Sequence, residues 1–400
     1  MATTDEAMTQ PARTLAGATV MQIVASLKDD AVARGALDVA AGLLRSGARA
    51  QVAGASGRLV GELQSLGGEW IDLELSGRTW RRRRQARQLH PVLLSEHVDL
   101  VHAHGPDASR MAFAAARSTR TRLLTSYFGL PPERSWRRSP EDGQARGHLV
   151  TAVSEFAALA IAERYGIPPD RTVVIPAPVE TGWFDPHAVE PERVAALRET
   201  WRIRPEVRVV LAPGKLVSSQ GHMTLVDAAR SLVNGGLRGV VFVIAGDQPE
   251  EPDYAAQLTE RIEAQGLRPL FRQVGTCPDM RTAYAAADLV ALPVERPIAF
   301  STMAAEAQAM ARPVVAANIG AMPEMLQAPP AGINAPRTGW MASPGDALAL
   351  ARCIADALAL APRAFDRVGD QARQWAQRSF SPERVAAATL ATYLSMLQER

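Results

Sequence analysis

Residues 288–324, DLVALPVERPIAFSTMAAEAQAMARPVVAANIGAMPE, read as a buried strand, a tight loop, a helix carrying Glu306, a second strand and a turn ending at Glu324. A loop running from a strand into a helix leaves N–H groups unpaired at the positive end of the helix dipole, so it suits phosphate. A second loop, Ala212–Leu216, ends another buried strand and carries Lys215, one of only two lysines in the chain. Its plain alternative is a solvated loop lysine. His102 and His104 form an H-x-H at a strand end. With no Cys or carboxylate cluster beside them they fall short of a metal site, and no metal is expected. Between Arg78 and Arg138 stand 13 Arg against four acids, a local excess of +9. Two pieces join Trp to Arg: Trp80–Arg81–Arg82–Arg83–Arg84 and Trp136–Arg137–Arg138. Such pairs suit an anionic membrane surface or an anionic acceptor; a solvated basic helix face plus a mobile loop is the alternative.

These residues need a scaffold, and the chain alternates short β-rich runs with helical patterns, the mark of parallel sheets with crossover helices. In the first half the expected strands are 19–26, 49–54, 69–75, 98–104, 122–128 and 149–154. In the second half they are 207–213, 239–246, 271–275, 288–293 and 313–318. Helices are expected at 32–45, 79–96, 221–233, 253–265, 278–286 and 301–311. The Pro-, Arg- and Gly-rich stretch 130–147 reads as a long loop. The expected organisation is a tail (1–17), an N-terminal α/β domain (18–178), a C-terminal one (179–378), and a last helix (379–400) packing back on the first domain.

With 400 residues and 47% hydrophobic content, the chain can bury two cores. A net charge of +2 gives no bulk attraction for nucleic acid, and no nucleic-acid recognition module accompanies the basic stretch. The two cysteines suggest a reducing compartment. The N-terminus lacks a signal-peptide core and no apolar run reaches membrane length, so a cytoplasmic protein is expected, with peripheral membrane attachment left open.

Six segments, in order and at suitable spacing, resemble family 4 glycosyltransferases: V-D-L-V-H-A-H (98–104), T-A-V-S-E-F (151–156), V-I-P-A-P-V-E (174–180), A-P-G-K-L (212–216), A-A-E-A-Q-A-M-A-R-P-V-V-A (304–316) and T-G-W-M-A-S-P-G-D (338–346). The resemblance runs from about Val20 to Leu397. It implies an α/β fold of the GT-B type, two Rossmann-like domains facing across a cleft. It also implies sugar transfer from a nucleotide-diphosphate sugar with retention, without a metal or other cofactor.

The resemblance implies roles for several residues. Lys215, beside Gly214, stands where the family has a diphosphate-binding Arg, and Gln220 where it has a Lys. Glu306 matches the second Glu of the family's Glu-x7-Glu, which binds ribose hydroxyls. The first Glu falls on Ile298, which cannot accept a sugar hydroxyl, and Glu295 is poorly placed to replace it. Phe300, Ser301, Thr302 and Met303 replace the family's F-G-[LR]-V, with N–H groups around Ser301–Met303 expected on phosphate. On the acceptor side, Asp30–Ala31 replaces a Gly-Gly loop, so Asp29 and Asp30 would face the diphosphate unless turned away. Phe128, before Gly129, stands where a His is expected, and His104 ends the neighbouring strand. Glu324 lies in a turn like the family's G-G-x-x-E and is expected to assist structurally. The leading expectation is transfer to a cell-envelope glycan or lipid-linked acceptor. The alternative is a catalytically degenerate relative that binds nucleotide-sugar or scaffolds a partner enzyme. A non-hydrolysing sugar epimerase of the same architecture is disfavoured by E-A-Q-A-M.

Overall fold

The computed structural model describes residues 14–75, 79–132, 140–247, 251–330, 333 and 335–398, and along 79–86, 140–142 and 252 the backbone alone. Seven strands come first: β1 Thr19–Ser26, β2 Arg49–Ala55, β3 Glu69–Asp72, β4 Leu100–His104, β5 Arg122–Tyr127, β6 Leu149–Ala152 and β7 Thr172–Val174. Six follow: β8 Arg208–Pro213, β9 Val240–Ala245, β10 Phe271–Gly275, β11 Leu289–Leu292, β12 Val314–Ala317 and β13 Gly339–Ala342. They form two sheets, in the orders β3-β2-β1-β4-β5-β6-β7 and β10-β9-β8-β11-β12-β13. Every pairing is parallel; Val20, for example, sits between Ala50 and Leu100.

The central strands are near-continuous apolar runs because helices cover both faces of each sheet. All six residues of β9, VVFVIA, are buried. Helices start on side-chain caps: Asp30 on Ala31–Arg45, Ser154 on Glu155–Tyr165, Ser301 on Thr302–Ala309 and Asp346 on Ala347–Leu358. The last helix, Pro382–Gln398, sets Tyr393 and Met396 into the first domain's core beside Leu37 and Leu43. It comes close to Ala31–Arg45 at Gly42, where a Cβ would meet Leu390 Cδ1 at 2.6 Å.

The strand positions agree with the sequence reading to within a few residues. Two strands went unforeseen, β7 and β13, of three and four residues. Within the stretch read as a long loop, Pro140–Arg146 forms a 3-10 helix. Trp136, Arg137 and Arg138 lie outside the described residues. Trp80 and Arg81–Arg84 sit in the helix Thr79–Ser95, of which only the backbone is described there. Among the described residues no helix is long and apolar enough to cross a membrane.

Candidate functional site

Each strand order reverses beside its domain's first strand, between β1 and β4 and between β8 and β11. Loops leaving the carboxyl ends there part in opposite directions and leave a crevice. The first crevice receives Asp30 and Ala31 after β1 and His104 at the end of β4, with Phe128 and Gly129 after β5. The second receives Gly214 and Lys215 after β8 and residues 293–303 after β11.

The Lys215 loop rests on a close backbone approach. A Cβ at Gly246 would stand 1.7 Å from the Gly214 oxygen, so glycine alone lets the end of β9 pass beneath it. The Leu216 N–H donates to the Asp247 carbonyl at 2.7 Å. Lys215 is exposed. Gln220 Oε1 and Met303 Sδ both approach Gly214, at 3.0 and 3.3 Å from where its Cβ would stand. The structure thus brings Gly214, Gln220 and Met303 together beside Lys215.

Ser301 caps the following helix: its hydroxyl accepts from the Ala304 N–H at 3.2 Å. Its own N–H is buried against Met325 Sδ at 3.2 Å. This corrects one expectation, since the Ser301 N–H is not a free phosphate donor. The N–H groups of Thr302 and Met303 precede the first intrahelical bond, Ala305 N–H to Ser301 carbonyl at 3.2 Å, and no described residue accepts from them.

One turn further, the Tyr284 hydroxyl donates to Glu306 Oε2 at 2.9 Å. Burial raises the Glu306 carboxyl above its usual range, and the tyrosine hydrogen bond opposes that shift. Burial first, then the Glu306 charge, pushes Tyr284 well above a normal phenol. Glu306 Oε1 receives no hydrogen bond from a described residue, so a ligand hydroxyl can take it. Tyr284 was not foreseen as a site residue; a helical tyrosine reads as core.

At the other end of the loop, Ile298 packs on the C-terminal core. Its carbonyl accepts from the Ala321 N–H at 3.0 Å. Gly320, at φ +61°, leaves no room for a side chain there, since a Cβ would stand 2.6 Å from the Ile298 nitrogen. Glu295, three residues upstream, is exposed, and its Oε1 accepts from Thr224 Oγ1 at 2.6 Å. Ala299 is buried in the N-terminal domain's cluster with Tyr127 and Val153. Phe300 touches the apolar clusters of both domains and meets Phe380 edge-on at 5.5 Å. The segment 298–300 is an apolar plug between the domains.

On the N-terminal side the charge expectation changes. Asp30 accepts from the Ala33 N–H at 2.9 Å as a helix cap. Asp29 pairs with Arg34 at 2.6 Å and also with Arg58, and these contacts hold it below the usual carboxylate range, the Arg34 hydrogen bond foremost. Asp29 is thus paired with two arginines, while Asp30 gives one oxygen to the cap and stays exposed.

His102 is a core histidine: Nδ1 meets Tyr393 Oη at 2.6 Å and Nε2 meets Ser126 Oγ at 2.7 Å. It ties the last helix to the first sheet. His104 lies 3.3 Å from Gln22 Oε1 through Nε2, while Nδ1 is buried without a described partner. Burial lowers its pKa to about 4, so it is neutral at pH 7. Phe128, 42% exposed, lies parallel to His104 at 6.1 Å between centroids. Both border a cavity of about 60 Å3 with Val32, Pro178 and Val385. Among the described residues no three His, Cys, Asp or Glu gather as for a metal.

A charged contact also crosses between the domains. Glu324, after β12, accepts from the N–H groups of Glu155 and Phe156, each at 2.7 Å. These are the first two residues of the helix Glu155–Tyr165, which Ser154 already caps through Ala157. A carboxylate of one domain thus completes a helix cap in the other.

Comparison with known proteins agrees with this arrangement. Residues 32–183 match the domain Glycosyltransferase Family 4, and residues 207–359 match Glycosyl transferases group 1. A D-inositol 3-phosphate glycosyltransferase of Catenulispora acidiphila is 28% identical over 59% of this chain and 59% of its own length. An MMP alpha-(1->4)-mannosyltransferase of Mycolicibacterium hassiacum is 28% identical over 70% of this chain and 60% of its own. The chain thus spans about six tenths of the length of these curated relatives. Among solved structures, a glycosyltransferase of Rickettsia africae superposes with TM-score 0.77 at 25% identity, covering 96% of this chain and 100% of that one. Anabaena HepE in complex with UDP superposes with TM-score 0.73 at 19% identity, covering 95% and 99%, and shares the fold. The two matched domains and the two parallel sheets agree: the chain belongs to the group 1, family 4 glycosyltransferases.

Proposed function

We propose that this protein is a glycosyltransferase that takes a nucleotide-diphosphate sugar and transfers the sugar, with retention, to a cell-envelope glycan or lipid-linked acceptor. The observation that carries the reading is the half-committed carboxylate of Glu306, one oxygen held by Tyr284 and one left to accept. It sits one turn from the uncommitted N–H groups of Thr302 and Met303, with Lys215 on the facing loop. In this reading Glu306 takes ribose hydroxyls, the two N–H groups and Lys215 hold the diphosphate, and Gly214, Gln220 and Met303 shape the floor. Electrostatic stabilisation of the departing diphosphate is the main catalytic demand. Relatives named for inositol phosphate and mannosyl transfer, and a fold neighbour holding UDP, support a nucleotide-sugar donor. No metal or other cofactor is required in this reading, and the protein works in the cytoplasm, at or near the membrane's inner face.

A second reading has its own observation. Ile298, where a sugar-binding Glu is expected, packs against the core as the first residue of the plug between the domains. That favours a relative that keeps nucleotide recognition and has lost, or rerouted, recognition of the sugar. Donor binding and slow donor hydrolysis across a panel of nucleotide-sugars, in the natural protein and in Ile298→Glu, separate the two. Turnover by the natural protein supports the transferase; binding with turnover only in the variant supports the degenerate relative. Absence of nucleotide-sugar binding in both refutes the two together.

A further inference from the structure

The amino end of the first sheet carries a second concave site. β5 and β6 begin there, at Arg122 and Leu149, while their carboxyl ends open on the cleft. A cavity of about 900 Å3 is bordered by Arg117, Arg120, Arg122, Arg146 and Arg171. Leu123, Leu149 and Met396 add an apolar surface, and Asp170 is the one acid among the lining residues. Among the described residues Arg117, Arg120, Arg122 and Arg146 have no carboxylate partner.

The guanidiniums are partly preorganised. Those of Arg117 and Arg146 lie over one ring, 5.7 and 5.3 Å from the Phe113 centroid. Arg171 donates to the carbonyls of His148 at 3.1 Å and Gly147 at 2.5 Å, which fixes the loop between them. His148 registers the local field: burial first, then the charges of Arg122 and Arg171, hold it below its usual value. Five like charges around one concavity repel one another, and a multivalent anion relieves that repulsion. Guanidinium forks match phosphate oxygens two at a time. The volume lies within the range of small-molecule sites, about 300–1,000 Å3, and suits one compact ligand rather than a nucleic-acid duplex.

We propose that this cavity is an accessory site for a phosphate group, borne by a small molecule or by a lipid headgroup, at the opposite end of the sheet from the donor cleft. The basic stretch noted in the sequence supplies three of its five arginines, and the proposal does not depend on the donor reading.

The test is hydrogen exchange of the full chain with two probes, inorganic pyrophosphate and phosphatidylglycerol vesicles, with phosphatidylcholine vesicles as control. The variant is Arg117→Gln/Arg146→Gln, at two exposed positions. Protection of residues 117–123 and 146–149 by pyrophosphate, with a midpoint at least tenfold higher in the variant, supports a soluble ligand. Protection by phosphatidylglycerol vesicles alone, lost in the variant, supports a headgroup. No protection of these segments by either probe, or protection unchanged by the variant, overturns the proposal. Residues 301–306 report the donor cleft in the same experiment, so failure at one site is distinct from failure at the other.

Discussion

Replacing Glu324 with Gln or Ala removes the one described carboxylate that caps a helix across the domain boundary. Both of its oxygens accept, from Glu155 and Phe156, at 2.7 Å. A hydrogen bond to a charged group contributes about 1.5–3 kcal/mol. Glu155 is exposed and Phe156 half-buried, so water replaces much of what is lost. A net cost of about 1–2 kcal/mol remains for the alanine variant, a shift of roughly 5- to 30-fold in the equilibrium between joined and parted domains. Gln keeps one acceptor and turns an NH2 towards the second N–H, so it should lose much of that stabilisation too. The contact is also wired to the donor loop. Met325, next to Glu324, takes the Ser301 N–H, and Ala321 donates to Ile298. Hydrogen exchange at the Glu155 and Phe156 amides reads the contact directly, and small-angle scattering reads the domain separation. The expected outcome is faster exchange at those two amides by about the same factor, with a larger radius of gyration. Unchanged exchange and unchanged scattering in both variants would refute the reasoning.

Three further outcomes follow from the geometry. Tyr284→Phe leaves the half-buried Glu306 carboxylate without its donor; nucleoside diphosphate affinity should fall by about 10-fold or more, read by calorimetric titration. Asp38 is raised to about 6, by burial first and then by the charges of Glu180 and Glu383. Its folded value lies above its unfolded one, so its contribution to stability is full below about pH 4 and is lost as pH rises through about 6. Asp38→Asn should raise stability at pH 7 by about 1 kcal/mol after solvent screening and flatten the urea midpoint between pH 4 and 7; an unchanged slope would contradict this. Gly246→Ala drives a methyl into the Gly214 carbonyl, so it should displace the Lys215 loop and weaken nucleotide binding more than it lowers the melting temperature.

The strongest strands were legible because a strand covered on both faces must be apolar along its buried length, as in β9 and in β8 after Arg208. β7 and β13 were not, since three or four residues carry no period and their place is set by the neighbouring strand. Glu306 stood out by its flanking motif. Its partner Tyr284 did not, because the two are 22 residues apart and meet only through the packing of two helices. The sequence reading had Asp29 and Asp30 facing a diphosphate unless turned away. It could not name their local partners, Arg34 and Arg58 for one and a helix N-terminus for the other. The reach of Glu324 to residues 169 and 168 positions away belongs to the domain arrangement, which no local pattern encodes.

The central claim is that the nucleotide end of the donor site is intact and built on Glu306. Calorimetric titration of UDP, GDP and ADP into the natural protein and into Glu306→Gln tests it most directly. The account predicts that at least one nucleoside diphosphate binds and that the variant weakens it about 10-fold or more, as expected for loss of charged hydrogen bonds to hydroxyls. No binding of any of the three, or equal binding by the variant, would contradict it.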